Sequence, residues 1–173
     1  QKILTSIRGL TPELQAHADA SGIVLFIDEG HLHICERGKS RAILPVSEIP
    51  CTFGGTALYN VSNALSAAAL ALSIGLSEEA IAAGLKSFGS SWRDNPGRGQ
   101  LTEVNGVKVM LDFGHNPDGV EALLDVVSDL LGSEGERGRL SVCVGQAGDR
   151  SDEDIFDLAK VITDGKPSKL YLR

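Results

Sequence analysis

Apolar residues change their spacing several times along the chain, and each change marks an element. From Gly22 to Val46, "GIVLFIDEGHLHICERGKSRAILPV" sets apolar runs between two polar breaks, Asp28-Glu29-Gly30 and Glu36-Arg37-Gly38-Lys39. Short apolar runs split by glycine-containing turns predict an antiparallel meander of three strands. Ahead of it, Thr11 can cap a short helix whose first residue is Pro12, with Gly22 ending it. After the loop "FGGTALYN", the segment "NVSNALSAAALALSIG" is Ala-rich and apolar on most faces. It predicts a well-buried helix stopped by Gly75. Ser77, followed by Glu78 and Glu79, opens the next helix, because Ser caps free N–H groups and the acids suit the positive helix end.

"SSWRDNPGRGQ", Ser90 to Gln100, has no apolar periodicity and reads as a linker. Beyond it, "LTEV" and "VKVMLDF" flank Asn105-Gly106, a pair suited to a type I′ hairpin turn. A helix over 117–131, the strand "LSVCV", a helix over 152–163 capped by Ser151, and the strand "KLYLR" complete the pattern. This β-α-β-α-β order predicts a parallel sheet with right-handed crossovers. Ligands in such sheets sit past the carboxyl ends of the strands. "DFGHN" and "GQAGDR" fall at that edge. The fold class is α/β, with residues 1–92 as the tail of one domain, 93–99 as a linker, and 100–173 as the start of a second domain.

Composition narrows the partners. The 173 residues carry a net charge of -7 with no basic block, which disfavours a nucleic-acid surface while leaving room for a local anion site. No apolar run approaches the ~20 residues of a membrane span, and no signal peptide is visible. Cys35, Cys51 and Cys143 lack metal-ligand spacing, so buried free thiols in a reducing cytoplasm are expected, with no metal site. The chain starts at Gln1 and its only methionine is Met110, so a piece of a longer protein is expected.

Several polar residues have both a structural and a chemical reading. Asn116 can cap the helix that begins at Pro117, and Asp112 can tie down its loop. Alternatively, Asp112 accepts from sugar hydroxyls while His115 and the helix end address an anion or a substrate. Asn60 and Asn63, three residues apart, share one helix face. Asn60 can cap that helix with Asn63 satisfied against neighbouring backbone, or the two amides can match an adenine edge. Arg98, between glycines, can be solvated or bring its guanidinium fork to a phosphate. "GQAGDR" lacks the GxGxxG spacing, and the chain has no Gly-Lys-Thr phosphate loop.

Taken in order, "YNVSNALSAAALAL", "DNPGR", "VMLDFGHNPDGVEALL" and "VGQAGDRSDEDI" closely resemble the C-terminal half of Mur-type ligases, cyanophycin-synthetase-like members most of all. That subgroup's pattern is a His-Asn-x-x-Asn helix start, an Asn-Pro-Gly-Arg linker, Asp-Tyr-Ala-His-Asn-Pro and Gly-Asp-Arg. The resemblance implies the end of a central ATPase domain (antiparallel meander plus helices), followed by a Rossmann-like C-terminal domain that stops short of completion. It implies a ligase that uses ATP and Mg²⁺ to join a carboxylate acceptor to an amino-acid substrate through an acyl phosphate. Asn60 and Asn63 match adenine-facing asparagines, Arg98 the linker arginine that reaches phosphates, and Asp112 a ribose ligand. His115 and Asn116 match the catalytic loop facing the incoming amine. Tyr59 stands where many members have His, and Phe113-Gly114 replace Tyr-Ala. The phosphate loop and most metal ligands are expected upstream of Gln1, which would leave residues 1–173 inactive in isolation. A folylpolyglutamate or peptidoglycan-precursor ligase, or a degenerate nucleotide-binding module without catalysis, remains open, as does homo-oligomerisation.

Overall fold

The computed structural model describes residues 2–89, 91–132, 138–145 and 150–173. They divide into two compact units, Gln1–Pro96 and Gly97–Arg173.

In the first unit, β1 (Ile3–Ser6), α1 (Pro12–Asp19) and β2 (Ile23–Asp28) form a strand–helix–strand unit whose two strands run parallel. β3 (His31–Glu36) and β4 (Lys39–Pro45) continue antiparallel, giving the sheet order β1-β2-β3-β4. The meander turns where the pattern predicts. Glu29 and Gly30 have φ of 44° and 73°, and Arg37 and Gly38 have 52° and 72°. Two successive positive φ values are what a type I′ turn needs. The hydrophobic pattern alone does not reveal β1: "ILTS" is only four residues long, and its pairing with β2 is what makes it a strand.

α1 starts as expected, with Thr11 Oγ1 accepting from Leu14 N–H at 3.4 Å, but it ends before Gly22. Ser21 takes the left-handed turn (φ 68°), and the N–H groups of Ser21 and Gly22 donate to Ala18 O and His17 O at 3.2 and 2.9 Å. This is the Schellman closure, which satisfies the last carbonyls. Gly22 matters for space instead: a Cβ there would meet the His17 ring, which bonds the Lys2 carbonyl at 3.1 Å.

Successive strand residues point to opposite faces, and here both faces are covered. Ile23, Leu25, Leu32 and Ile34 cluster with Ala64, Leu65 and Ala68 of α2 (Leu58–Ser73) and Ile81 of α3 (Glu78–Ser87). Val24, Phe26 and Cys35 cluster with Ala18 and Leu14 of α1. Burial on both faces explains the unbroken run "IVLF". α2 is less buried than its composition suggests, since Leu58 is 60% and Leu70 70% exposed. One side of the helix meets the core, and its alanines favour helix without requiring burial. α3 is capped by Ser77, which accepts from Ala80 N–H at 3.3 Å. Two ion pairs hold it: Arg41 Nε donates to both Glu78 carboxylate oxygens at 2.9 and 3.1 Å, and Lys86 Nζ lies 2.5 Å from Glu48. The Glu78 contact raises the Arg41 pKa further.

The second unit opens with the hairpin β5 (Gln100–Val104)–β6 (Val107–Leu111), turning at Asn105 (φ 51°) and Gly106 (φ 77°). α4 (Pro117–Gly132), β7 (Ser141–Val144), α5 (Asp152–Asp164) and β8 (Lys169–Leu172) follow. β7 and β8 pair in parallel around α5. Among the described residues β6 does not join them; β5-β6 and β7-β8 are separate two-stranded sheets. Periodicity identifies strands but does not name their partners. Val120, Leu158 and Ile162 form the core, with Leu124, Val142, Val144 and Val161 against it. Alternation turns Ser141 and Cys143 away from that core, so Cys143 is exposed while Cys35 and Cys51 are buried.

Candidate functional site

The six residues singled out from the sequence fall into two groups, one in each unit. In the first unit, a cavity of about 390 Å³ lies along α2 and α3. That is within the range of small-molecule pockets. Ala64, Ala67, Ala68, Ala71, Ile81, Leu85 and Phe88 give it apolar walls, and Asn60, Asn63 and Asn95 are its amides. Asn60 does not cap α2; the cap position is Ala57, which offers no side-chain bond. The Asn60 Nδ2 instead donates to Cys51 O at 2.6 Å, and its Oδ1 accepts from Asn63 Nδ2 at 3.3 Å. Asn60 is therefore committed on both sides and orients Asn63. Burial pushes the neighbouring Cys51 thiol pKa up, which keeps it protonated and inert at neutral pH.

Asn95 was not singled out from the sequence. It sits in "DNPGR", where the linker is locally ordered. Asp94 Oδ2 accepts from Ser91 Oγ at 2.8 Å and Gly89 N–H at 3.3 Å, and Asn95 N–H donates to Ser91 O at 3.0 Å. The Ser-x-x-Asp spacing was the available signal, since it marks a capped turn rather than a free linker.

In the second unit, Arg98, Asp112, His115 and Asn116 come together where β6 ends. Gly97 and Gly99 have φ of 70° and 55°, a backbone that glycine adopts readily. Gly99 N–H donates to Asp112 Oδ2 at 2.6 Å, and Phe113 N–H donates to Gly97 O at 2.9 Å. These two bonds fasten the Arg98 loop to the end of β6. Arg98 Cζ then lies over the Phe113 ring, 5.1 Å from its centroid. The His115 ring is 5.4 Å from the same ring. His115 Nδ1–H donates to Phe113 O at 3.3 Å, so in the neutral imidazole Nε2 carries the lone pair. Asn116 caps α4, its Oδ1 accepting Gly119 N–H at 2.7 Å, and its amide nitrogen stays available. Asp112 keeps a second carboxylate oxygen as an acceptor.

The loop "GQAGDR" falls largely outside the described residues. Among those described, no group of three or more His, Cys, Asp or Glu could hold a metal ion, and no helix is long and apolar enough to cross a membrane.

Residues 97–172 match the family described as Mur ligase, glutamate ligase domain. The chain is 33% identical over 150 residues to cyanophycin synthetase of Synechocystis sp., covering 87% of this chain and 16% of that protein. It is also 33% identical over 145 residues to cyanophycin synthetase of Crocosphaera subtropica, covering 84% and 16%. A UDP-N-acetylmuramoyl-L-alanyl-D-glutamate–2,6-diaminopimelate ligase of Gloeobacter violaceus is 35% identical over 116 residues, covering 65% and 22%. The chain thus spans about one sixth of the length of the cyanophycin synthetases it matches. It belongs to the Mur ligase family and is similar to cyanophycin synthetases over most of its residues.

Proposed function

We propose that this chain carries part of the nucleotide and amine side of an ATP-dependent, amide-bond-forming ligase of the cyanophycin-synthetase-like kind. The observation that carries the reading is the set of outward-facing polar atoms around the end of β6. Arg98 offers guanidinium donors, Asp112 a free carboxylate oxygen, His115 a ring nitrogen and Asn116 an amide, all ordered by backbone bonds. Similarity to cyanophycin synthetases covers more of this chain than similarity to the peptidoglycan-precursor ligase does, which favours that subgroup.

Each group, taken by itself, has the chemistry for a part of ATP. The apolar cavity of the first unit suits the faces of a purine, with Asn63, oriented by Asn60, toward its polar edge. Asp112 accepts from ribose hydroxyls, and Arg98 forks onto phosphate oxygens. ATP supplies the phosphoryl group that activates a carboxylate as an acyl phosphate, from which an amine displaces phosphate to form the amide. His115 Nε2 takes a proton from that amine. The Asn116 amide donates to an oxygen that gains negative charge. Mg²⁺ would accompany the nucleotide and offset the charge of its phosphates.

The test is amine-dependent ADP release by the ligase that carries this sequence. Arg98→Ala and Asp112→Ala are expected to weaken ATP use with the circular dichroism unchanged. His115→Ala should lower kcat by about 10²-fold or more. Unchanged ATP kinetics in Asp112→Ala would remove that residue from the ribose role.

A further inference from the structure

We propose that Phe113 is a positioning residue that holds the Arg98 guanidinium in place before phosphate arrives. The inference rests on the phosphate role given to Arg98 above and adds a residue to it. Phe113 is 64% exposed, at the end of β6, where a large aromatic side chain contributes little to the core. Its backbone is fixed by the 2.9 Å bond to Gly97 O, and its ring lies 5.1 Å beneath Arg98 Cζ. Among the described residues no carboxylate pairs with Arg98, so the ring is its electrostatic partner. The attraction is directed at the π face and leaves most of the five guanidinium N–H donors unengaged. A carboxylate in that place would occupy the donors and compete with phosphate. An aromatic ring therefore limits the rotamers of Arg98 without blocking its ligand, which lowers the ordering cost of binding.

The test compares Phe113→Leu with Phe113→Tyr in the same ligase. Removing the ring is expected to raise the KM for ATP about two- to five-fold with a smaller change in kcat, as follows from the strength of an exposed cation–π contact. Phe113→Tyr keeps a π face and should restore the wild-type KM. An independent reading comes from NMR of the 173-residue chain. The Arg98 side-chain protons should show an upfield ring-current shift that vanishes in Phe113→Leu and persists in Phe113→Tyr. A wild-type KM in Phe113→Leu, or Tyr impaired as much as Leu, would overturn the proposal. Absence of the ring-current shift would also overturn it. If Arg98→Ala leaves ATP kinetics unchanged while the ring-current shift is present, it is the phosphate role of Arg98 that fails.

Discussion

The two units hold their candidate groups by different means. In the first, the cavity wall is part of the core: Ala64, Ala68 and Ile81 line the cavity and also belong to the buried cluster against the sheet. In the second, the groups sit on a loop and a helix start, with hydrogen bonds to backbone in place of packing. Core packing is dense and resists deformation, whereas loop bonds open locally at low cost. Under the proposed function, a recess for a purine would gain from a rigid wall. Under the same proposal, groups that meet phosphate and amine in turn would gain from a support that can adjust.

The largest expected effect tests the packing half of this contrast. Leu65 is 1% exposed, inside a cluster of eleven buried residues. Leu65→Ala should cost toward the upper end of about 2–5 kcal/mol, because a closely surrounded site collapses poorly around the void. Leu158→Ala, in a cluster of three buried residues, should fall toward the lower end. Urea unfolding of both variants gives the comparison, and equal losses would erase it.

A smaller effect separates two asparagines that look alike in sequence. Asn60→Ala leaves the Cys51 carbonyl and the Asn63 amide without their partner, which should cost about 1–3 kcal/mol. It should also loosen Asn63. Asn116→Ala removes a helix cap and should cost about 1 kcal/mol, confined to α4. Amide exchange distinguishes them: Asn60→Ala should raise exchange throughout the first unit, Asn116→Ala only in the first turn of α4. A confined effect for Asn60 would mean that its bonds belong to the surface rather than to the framework.

These contrasts mark how far the sequence was readable. Elements set by local rules were legible: Glu29-Gly30 and Asn105-Gly106 made their turns, and Thr11, Ser77 and Ser151 made their caps. The end of α1 moved only because Ser21 could take a left-handed turn. Features set by distant partners were not legible. β1 exists through β2, and the left-handed kink at Phe53-Gly54 (φ 51° and 72°) follows no local signal stronger than a glycine pair. Arg98 reaches Phe113 across fifteen positions, brought there by a bond from Gly99 to Asp112 that no spacing rule announces. The asparagines at 60 and 116 were each readable as caps. Only tertiary geometry made the first a brace and left the second a cap.

The smallest effect concerns acid. In α5, Asp154 accepts from the Ser151 hydroxyl at 2.8 Å and from its N–H at 3.2 Å, while Ser151 accepts from Asp154 N–H at 3.1 Å. The Ser151 hydroxyl first, then its N–H, hold the Asp154 carboxyl below its ordinary value. The folded state therefore prefers the carboxylate, so the stabilisation is fully present above the unfolded pKa of about 4. It is lost as pH falls through the lower folded value. In α3, the Glu79 backbone N–H first and then the Ser77 hydroxyl lower the Glu79 carboxyl, but there the Arg41–Glu78 and Lys86–Glu48 pairs add anchors along the helix. On acidification from pH 7, amide exchange should rise in the first turn of α5 before it rises in the first turn of α3. Ser151→Ala should flatten the α5 response by removing the donor that favours the charged form. Simultaneous fraying of both helices would show that the ion pairs add nothing to the cap.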